Sequence, residues 1–255
     1  MSQAIYLPGT FTDAQRETLK KKSVLFLLSS RGHPVQELLL PMRHLLNSGI
    51  RVDLATLDGG PVRLDFLCNI LAVLECACNQ AFQCLRDEAR ARRLSHTVSL
   101  RALQRENRLG SYLDSFDALV VPGGHGRVYR EFVFSELTGE VVRHFSTRRK
   151  VVGLQCHSVV LAGQVDTGGM KEVTCWPRCY ERILSSIPFL KPLFKPFGVF
   201  AQDLVEAKNM KVLYHPCNPN NPRAVIDRHL VTCWGPWSMP QFSYAVQHLL
   251  CADAS

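Results

Sequence analysis

The sequence predicts an α/β protein, a mainly parallel sheet with helices packed on both faces. Three observations carry that prediction. Short uninterrupted apolar runs, Ser23 to Ser29, Ala118 to Val121 and Val151 to Leu154, suit strands buried on both sides. Helical patterns alternate with these runs across short loops, the order that builds parallel sheets. One run passes straight into a helical pattern with a cysteine at the junction, Val151-Val-Gly-Leu-Gln-Cys-His-Ser158.

Taken in order, Ser23 to Ser29 is the first strand. Pro34 opens a helix in which Leu38, Leu39, Met42, Leu45 and Leu46 keep helical spacing up to Gly49, a C-cap residue. Arg51 to Thr56 reads as the second strand, ending at Asp58-Gly59-Gly60, and completes a right-handed βαβ unit. The alternation returns at Ala118–Val121, Glu131–Phe145, Val151–Leu154 and Ser158–Gln164. Residues 65–113 are too long for a simple crossover and read as a helical insertion, one helix from Leu67 to Arg93 and another from Ser99 to Leu113. Beyond Pro188, Pro192 and Pro196, the pattern gives a short helix at Gln202–Lys208 and a strand at Lys211–Tyr214. A hairpin follows around Arg228, from Ala224–Asp227 and His229–Thr232, with a closing helix at Ser238–Leu250. One domain over residues 22–251 is expected, preceded by an extension, residues 1–21.

Composition narrows the class. The chain has 255 residues, 46% hydrophobic and 20% charged, enough to build a core without staples. That balance excludes a disordered tail, a collagen and a charged coiled coil. No apolar run approaches the roughly 18 residues that span a bilayer, and the start lacks the apolar region of a secretory signal. A soluble cytoplasmic protein without a membrane partner is expected. The net charge of +8 has a visible source in Arg86, Arg90, Arg92, Arg93, Arg101, Arg105 and Arg108. That stretch lacks aromatics to stack on bases, so it reads as a solvated helix face rather than a nucleic-acid surface. Ten cysteines are far fewer than a disulfide scaffold carries, and no C-x-x-C pair or zinc-finger spacing occurs. Reduced thiols are expected.

Three segments carry chemistry. Cys156 stands where a strand turns into a helix, the geometry of a nucleophile elbow. The helix N-terminus there favours thiolate, the reactive form. Pro122-Gly-Gly-His-Gly126 follows the strand Ala118–Val121, and its N–H groups can line a cleft at the same sheet edge. Such donors can stabilise an oxyanion. Glu37, in the first turn after Gly32-His-Pro34, offers a carboxyl group able to share a proton with the thiol.

Together and in this order, the segments resemble the ThiJ/PfpI superfamily, within the class I glutamine amidotransferase-like folds. The similarity is greatest to its branch of heat-shock chaperones and glutathione-independent glyoxalases (glyoxalase III). HPVQELLLPMRHLLNSGIRVDLATLDGG, FDALVVPGGHG, VVGLQCHSVVLAG and AVIDRHLVTCWGPWSMPQFSYAVQHLL carry the resemblance, over about residues 22–250. It implies a flavodoxin-like three-layer sandwich. It also implies Cys156 as nucleophile, His157 as its neighbouring histidine, Glu37 as the glutamate against the thiol, and Gly123, Gly124 and the His157 N–H as oxyanion hole.

Two departures stand out. Ser158 replaces the glycine the superfamily prefers after Cys-His, a change expected to crowd the pocket. Arg178 occupies the position of the acid that orients the histidine, and Glu181, one helical turn on, is the available substitute. His33 and Glu37 give only part of the metal set that the resembling branch uses, so no metal is expected, and the resemblance implies a reaction that needs no organic cofactor.

The implied activity is conversion of a 2-oxoaldehyde such as methylglyoxal to a 2-hydroxy acid, or removal of early glycation adducts, in a chain that can form a homodimer. Arg178 favours the alternative, a catalytically impaired, redox-responsive chaperone or interaction protein. Amidotransferase chemistry is disfavoured because no H-x-E follows Cys156.

Overall fold

The computed structural model describes residues 3–5, 8–64, 94–169, 171–187, 196–213 and 224–252. The predicted helix Leu67–Arg93 and the cysteines Cys68, Cys76, Cys78, Cys84 and Cys217 lie outside the described residues.

The first βαβ unit is built from β2 (Ser23–Leu28), α2 (Val35–Asn47) and β4 (Arg51–Thr56), preceded by β1 (Gln3–Ile5) and α1 (Asp13–Leu19). A short β3 (Arg31–His33) stands between β2 and α2 and pairs with β5 (Arg63–Leu64). Pro34 caps α2 from just outside, with extended backbone. Gly49 ends it at φ +79, with Gly49 N–H on Leu46 O (3.0 Å) and Ile50 N–H on Leu45 O (3.1 Å). That pair of bonds is a Schellman closure, and the left-handed backbone it needs is cheap only for glycine.

The chain continues through β6 (Val98–Ser99), α3 (Leu100–Arg105), α4 (Leu109–Asp114), β7 (Ala118–Val121), α5 (Gly126–Val133), α6 (Glu136–Thr147) and β8 (Val151–Gln155). Two helices read as continuous are broken. The Ser99–Leu113 pattern splits at Asn107, which has φ +55, and the Glu131–Phe145 pattern splits around Phe134 and Ser135. A 3₁₀ helix, Cys156–Gln164, follows β8 directly. Then come β9 (Glu172–Val173), α7 (Arg178–Ser185), α8 (Ala201–Glu206), β10 (Lys211–Val212), β11 (Ala224–Asp227), β12 (Leu230–Cys233) and α9 (Met239–Ala252). β9 and β10 form a separate parallel pair; β10 lies within the strand expected at Lys211–Tyr214, whereas β9 was missed because two residues leave no periodicity.

The main sheet runs β1-β11-β12-β8-β7-β2-β4-β6. From β12 to β6 every pairing is parallel, while β11 and β1 add antiparallel partners at one edge. β2 shows why the sheet is enclosed. Leu25 and Leu27 point into one apolar layer with Val141, Val142 and Phe145 of α6. Val24, Phe26 and Leu28 point into the other, with Leu38, Leu39 and Met42 of α2 and Phe242 and Val246 of α9. Alternation of side chains along a strand thus feeds two cores, and each fully buried leucine contributes roughly 1.5–3 kcal/mol. This three-layer arrangement brings the carboxyl ends of β2, β7, β8 and β12 to one edge.

Among the described residues, no helix is long and apolar enough to cross a membrane. Of the arginine-rich stretch, Arg101 pairs with Asp58 (2.6 Å) and Arg108 with Glu106 (2.9 Å), both at the surface.

Candidate active site

Cys156 has φ +55, so the strand-to-helix junction is a strained turn at a residue with a side chain. Its hinge is held by Ser158. The Ser158 hydroxyl accepts from Gln155 N–H (2.7 Å) and lies 2.7 Å from Val121 O, tying the elbow to β7. Ser158 therefore braces the turn, in place of the crowding expected of it.

The imidazole of His157 spans two partners. Nδ1 lies 3.4 Å from Cys156 Sγ, and Nε2 lies 3.1 Å from Glu181 Oε1. Glu181 is fully buried, and its second oxygen accepts the backbone N–H of Ala201 at 2.9 Å. Arg178 points the other way. It starts α7, forms ion pairs with Asp203 (2.5 Å) and Glu206 of α8, and its backbone N–H donates to Gln202 Oε1. Arg178 stands at the very start of α7 with its guanidinium drawn onto α8, while Glu181, one turn in, is fully buried at His157.

On the opposite side of the sulfur stands Glu37, 1% exposed. Its carboxyl group lies against the Cys156 thiol and the Gly123 amide. Its Oε2 makes no well-aligned hydrogen bond among the described residues. Pro41 has no N–H to return to the Glu37 carbonyl four residues back, which loosens the helix just beneath this carboxyl. Burial raises Glu37 to about 8, so the group is a carboxylic acid at neutral pH. Burial also pushes the Cys156 thiol well up, above the lowering effect of the His157 N–H. This reverses the thiolate expected from the helix N-terminus; desolvation outweighs a few aligned amides. His157 is pushed the other way, down to about 3, again by burial. The three groups around the sulfur are thus neutral at rest: the Cys156 thiol, the His157 imidazole and the Glu37 carboxylic acid.

The glycine loop seals this cluster. A Cβ on Gly123 would stand 1.9 Å from Glu37 Oε2 and 2.6 Å from Cys156 Cβ, so only glycine fits. Its carbonyl is held by His33, whose Nδ1 lies 2.6 Å away, while His33 Nε2 accepts Ser29 N–H at 2.9 Å. These partners fix His33 as the Nδ1–H tautomer. Burial keeps it neutral, down to about 4. His33 is therefore a strut between β2 and the loop. No cluster of three metal-ligating side chains occurs among the described residues. Gly124 packs on the ring of Tyr129, whose hydroxyl donates to Pro122 O at 3.0 Å. Gly123 thus reaches the thiol with its amide toward Glu37, and Gly124 sits one step further out.

Sequence reasoning missed two features. Tyr129 underlies the loop, and nothing in its helical spacing marks it. All three tryptophans, Trp176, Trp234 and Trp237, gather beside the site with Tyr180. Trp176 lies against Cys156 and 6.0 Å from the His157 ring. Their convergence was hidden because they come from two distant segments, although tryptophan is rare enough in this chain to have been a signal.

A parallel α/β sheet with a cysteine elbow, a glycine loop and a facing glutamate at its carboxyl edge defines a class of thiol-bearing proteins. Within that class, the chain belongs to the DJ-1/PfpI family, whose model matches residues 22–248. Glyoxalase III from Candida albicans superposes with a TM-score of 0.66 at 17% identity, covering 90% of this chain and 98% of that one. Drosophila melanogaster DJ-1beta superposes with a TM-score of 0.53 at 19% identity, covering 92% and 97%. These likenesses show the shared fold. Protein/nucleic acid deglycase HchA of Staphylococcus aureus is 31% identical over 103 residues, 40% of this chain and 32% of the relative. The chain thus matches about a third of that relative's length.

Proposed function

We propose that the protein converts 2-oxoaldehydes such as methylglyoxal to 2-hydroxy acids without glutathione, with Cys156 as nucleophile. The observation that supports this reading is the line from thiol through imidazole to carboxylate, 3.4 Å and 3.1 Å. His157 Nε2–H donates to Glu181, which leaves the Nδ1 lone pair facing the sulfur. As the sulfur adds to the aldehyde carbon, Nδ1 takes the thiol proton. Glu37, still protonated, donates to the forming alkoxide and completes a hemithioacetal. The C–H proton of that adduct then moves by way of His157 or Glu37 to the adjacent carbon, which gives a thioester of the 2-hydroxy acid. Water cleaves the thioester and restores the thiol, so one water is consumed per aldehyde.

Removal of early glycation adducts from amino groups or nucleobases would use the same nucleophile and acid, and the deglycase relative favours testing it beside the aldehyde. Arg178, the feature that favoured an impaired chaperone, is engaged by Asp203 and Glu206 away from His157. The deciding experiment incubates purified protein with methylglyoxal and no glutathione. Lactate should form with the wild type, and the rate should fall at least about a thousandfold in Cys156→Ala. Equal rates in the two proteins would sink the proposal.

A further inference from the structure

Cys233 ends β12 in register with Gln155, the residue immediately before Cys156. Its side chain is fully buried. Its sulfur lies against the backbone amides of Cys156 and Gly235, and the Glu37 carboxyl is close enough to act on both thiols. Neighbouring strands lie about 4.8 Å apart, and one residue along adds a rise of about 3.3 Å, which places the two Cα atoms ~6 Å apart. A disulfide needs roughly 4.4–6.8 Å between them. The Cα separation that this register implies falls inside the bonding window. Among the other described cysteines, Cys175 faces Glu181 and Cys251 donates to Gln15 O.

We propose that Cys156 and Cys233 form a peroxide-reducing dithiol that closes to an intramolecular disulfide. The Cys156 sulfur attacks one oxygen of hydrogen peroxide and the O–O bond breaks. The thiol proton passes by His157 to the leaving oxygen, which departs as water and leaves a sulfenic acid on Cys156. The Cys233 sulfur then attacks the sulfenic sulfur. An S–S bond forms, the S–O bond breaks, and the Cys233 proton leaves with the hydroxyl group as a second water. Two electrons have moved from the thiols to the peroxide, and an external dithiol returns them by exchange. Cys233 thereby diverts Cys156 from the irreversible sulfinic and sulfonic acids. This chemistry does not depend on aldehyde turnover.

The test treats the full chain with hydrogen peroxide and maps its peptides without reduction. The wild type should give a linked Cys156–Cys233 peptide that dithiothreitol reverses. Cys233→Ser, which keeps a hydrogen-bond acceptor for both amides, should give no such link and about tenfold more Cys156 sulfinic acid. Before oxidation its methylglyoxal turnover should match the wild type; after peroxide, dithiothreitol should restore activity only in the wild type. Absence of the linked peptide in the wild type, or sulfinic acid accumulating equally in both proteins, would overturn the proposal, and the peptide map decides even if neither protein turns over aldehyde.

Discussion

Two buried glutamates serve one sulfur, Glu37 against it and Glu181 through His157, and their surroundings give them different jobs. Glu181 has both oxygens engaged, one on the His157 imidazole and one on the Ala201 amide. Glu37 enters from α2 with its Oε2 lacking an aligned partner, and burial holds it protonated up to about 8. A carboxylate satisfied on both oxygens orients a base, whereas a desolvated carboxylic acid supplies a proton. Equal burial therefore does not mean equal chemistry; the donors decide.

That contrast can be broken from either side. The largest effect after loss of Cys156 itself is expected for Glu181→Gln. The amide can still accept from Ala201 N–H, but it no longer holds His157 in the tautomer that accepts from sulfur. Turnover of methylglyoxal should fall about 10²–10⁴-fold with little change in the thermal midpoint, measured by steady-state kinetics beside a melting curve. Glu37→Gln should cost less, about 10–10²-fold, and should change the pH profile. Wild-type activity should decline as pH rises through about 8, where Glu37 loses its proton, and that limb should vanish in the variant.

Stability follows the same sign. Glu37 has its folded pKa raised, so its contribution is full below the ordinary carboxylate range and is lost as pH rises toward about 8. Denaturant titrations from pH 5 to 9 should show that loss in the wild type and a flatter curve in Glu37→Gln. His33 and His157 act oppositely, because their folded values lie near 4 and 3; their contribution fades as pH falls below about 6.5.

Smaller effects should mark the margins. Gly123→Ala drives a methyl group into Glu37 and the Cys156 Cβ and should destabilise the fold by about 1–3 kcal/mol by chemical denaturation. Arg178→Ala removes half-exposed ion pairs on the far side of α7, so turnover should stay within about twofold and stability within about 1 kcal/mol.

Much of this was legible in the sequence for physical reasons. The runs at Ser23, Ala118 and Val151 read as strands because both faces are covered, which removes polar residues from the pattern. Gly49 and the elbow carried local backbone requirements that sequence expresses directly. The helix breaks at Asn107 and Phe134 were not legible, since no proline or glycine marks them. Nor was the electrostatic state of the site, because burial depends on the whole fold; the helix N-terminus at Cys156 suggested thiolate, and burial of the sulfur reversed it. Arg178 misled for a related reason. A residue's place in a motif does not fix what its side chain meets: Arg178 is drawn onto Asp203 and Glu206 of α8, and Glu181 meets the imidazole.

The state of that imidazole is the most direct test. Nitrogen NMR of ¹⁵N-histidine-labelled protein, with His157 assigned by substitution, reports which ring nitrogen carries the proton. A neutral ring protonated on Nε2, unchanged from pH 8 down to about pH 5, is the predicted result. An imidazolium at pH 6, or a proton resident on Nδ1, would contradict the thiol–imidazole–carboxylate line on which the proposed chemistry rests.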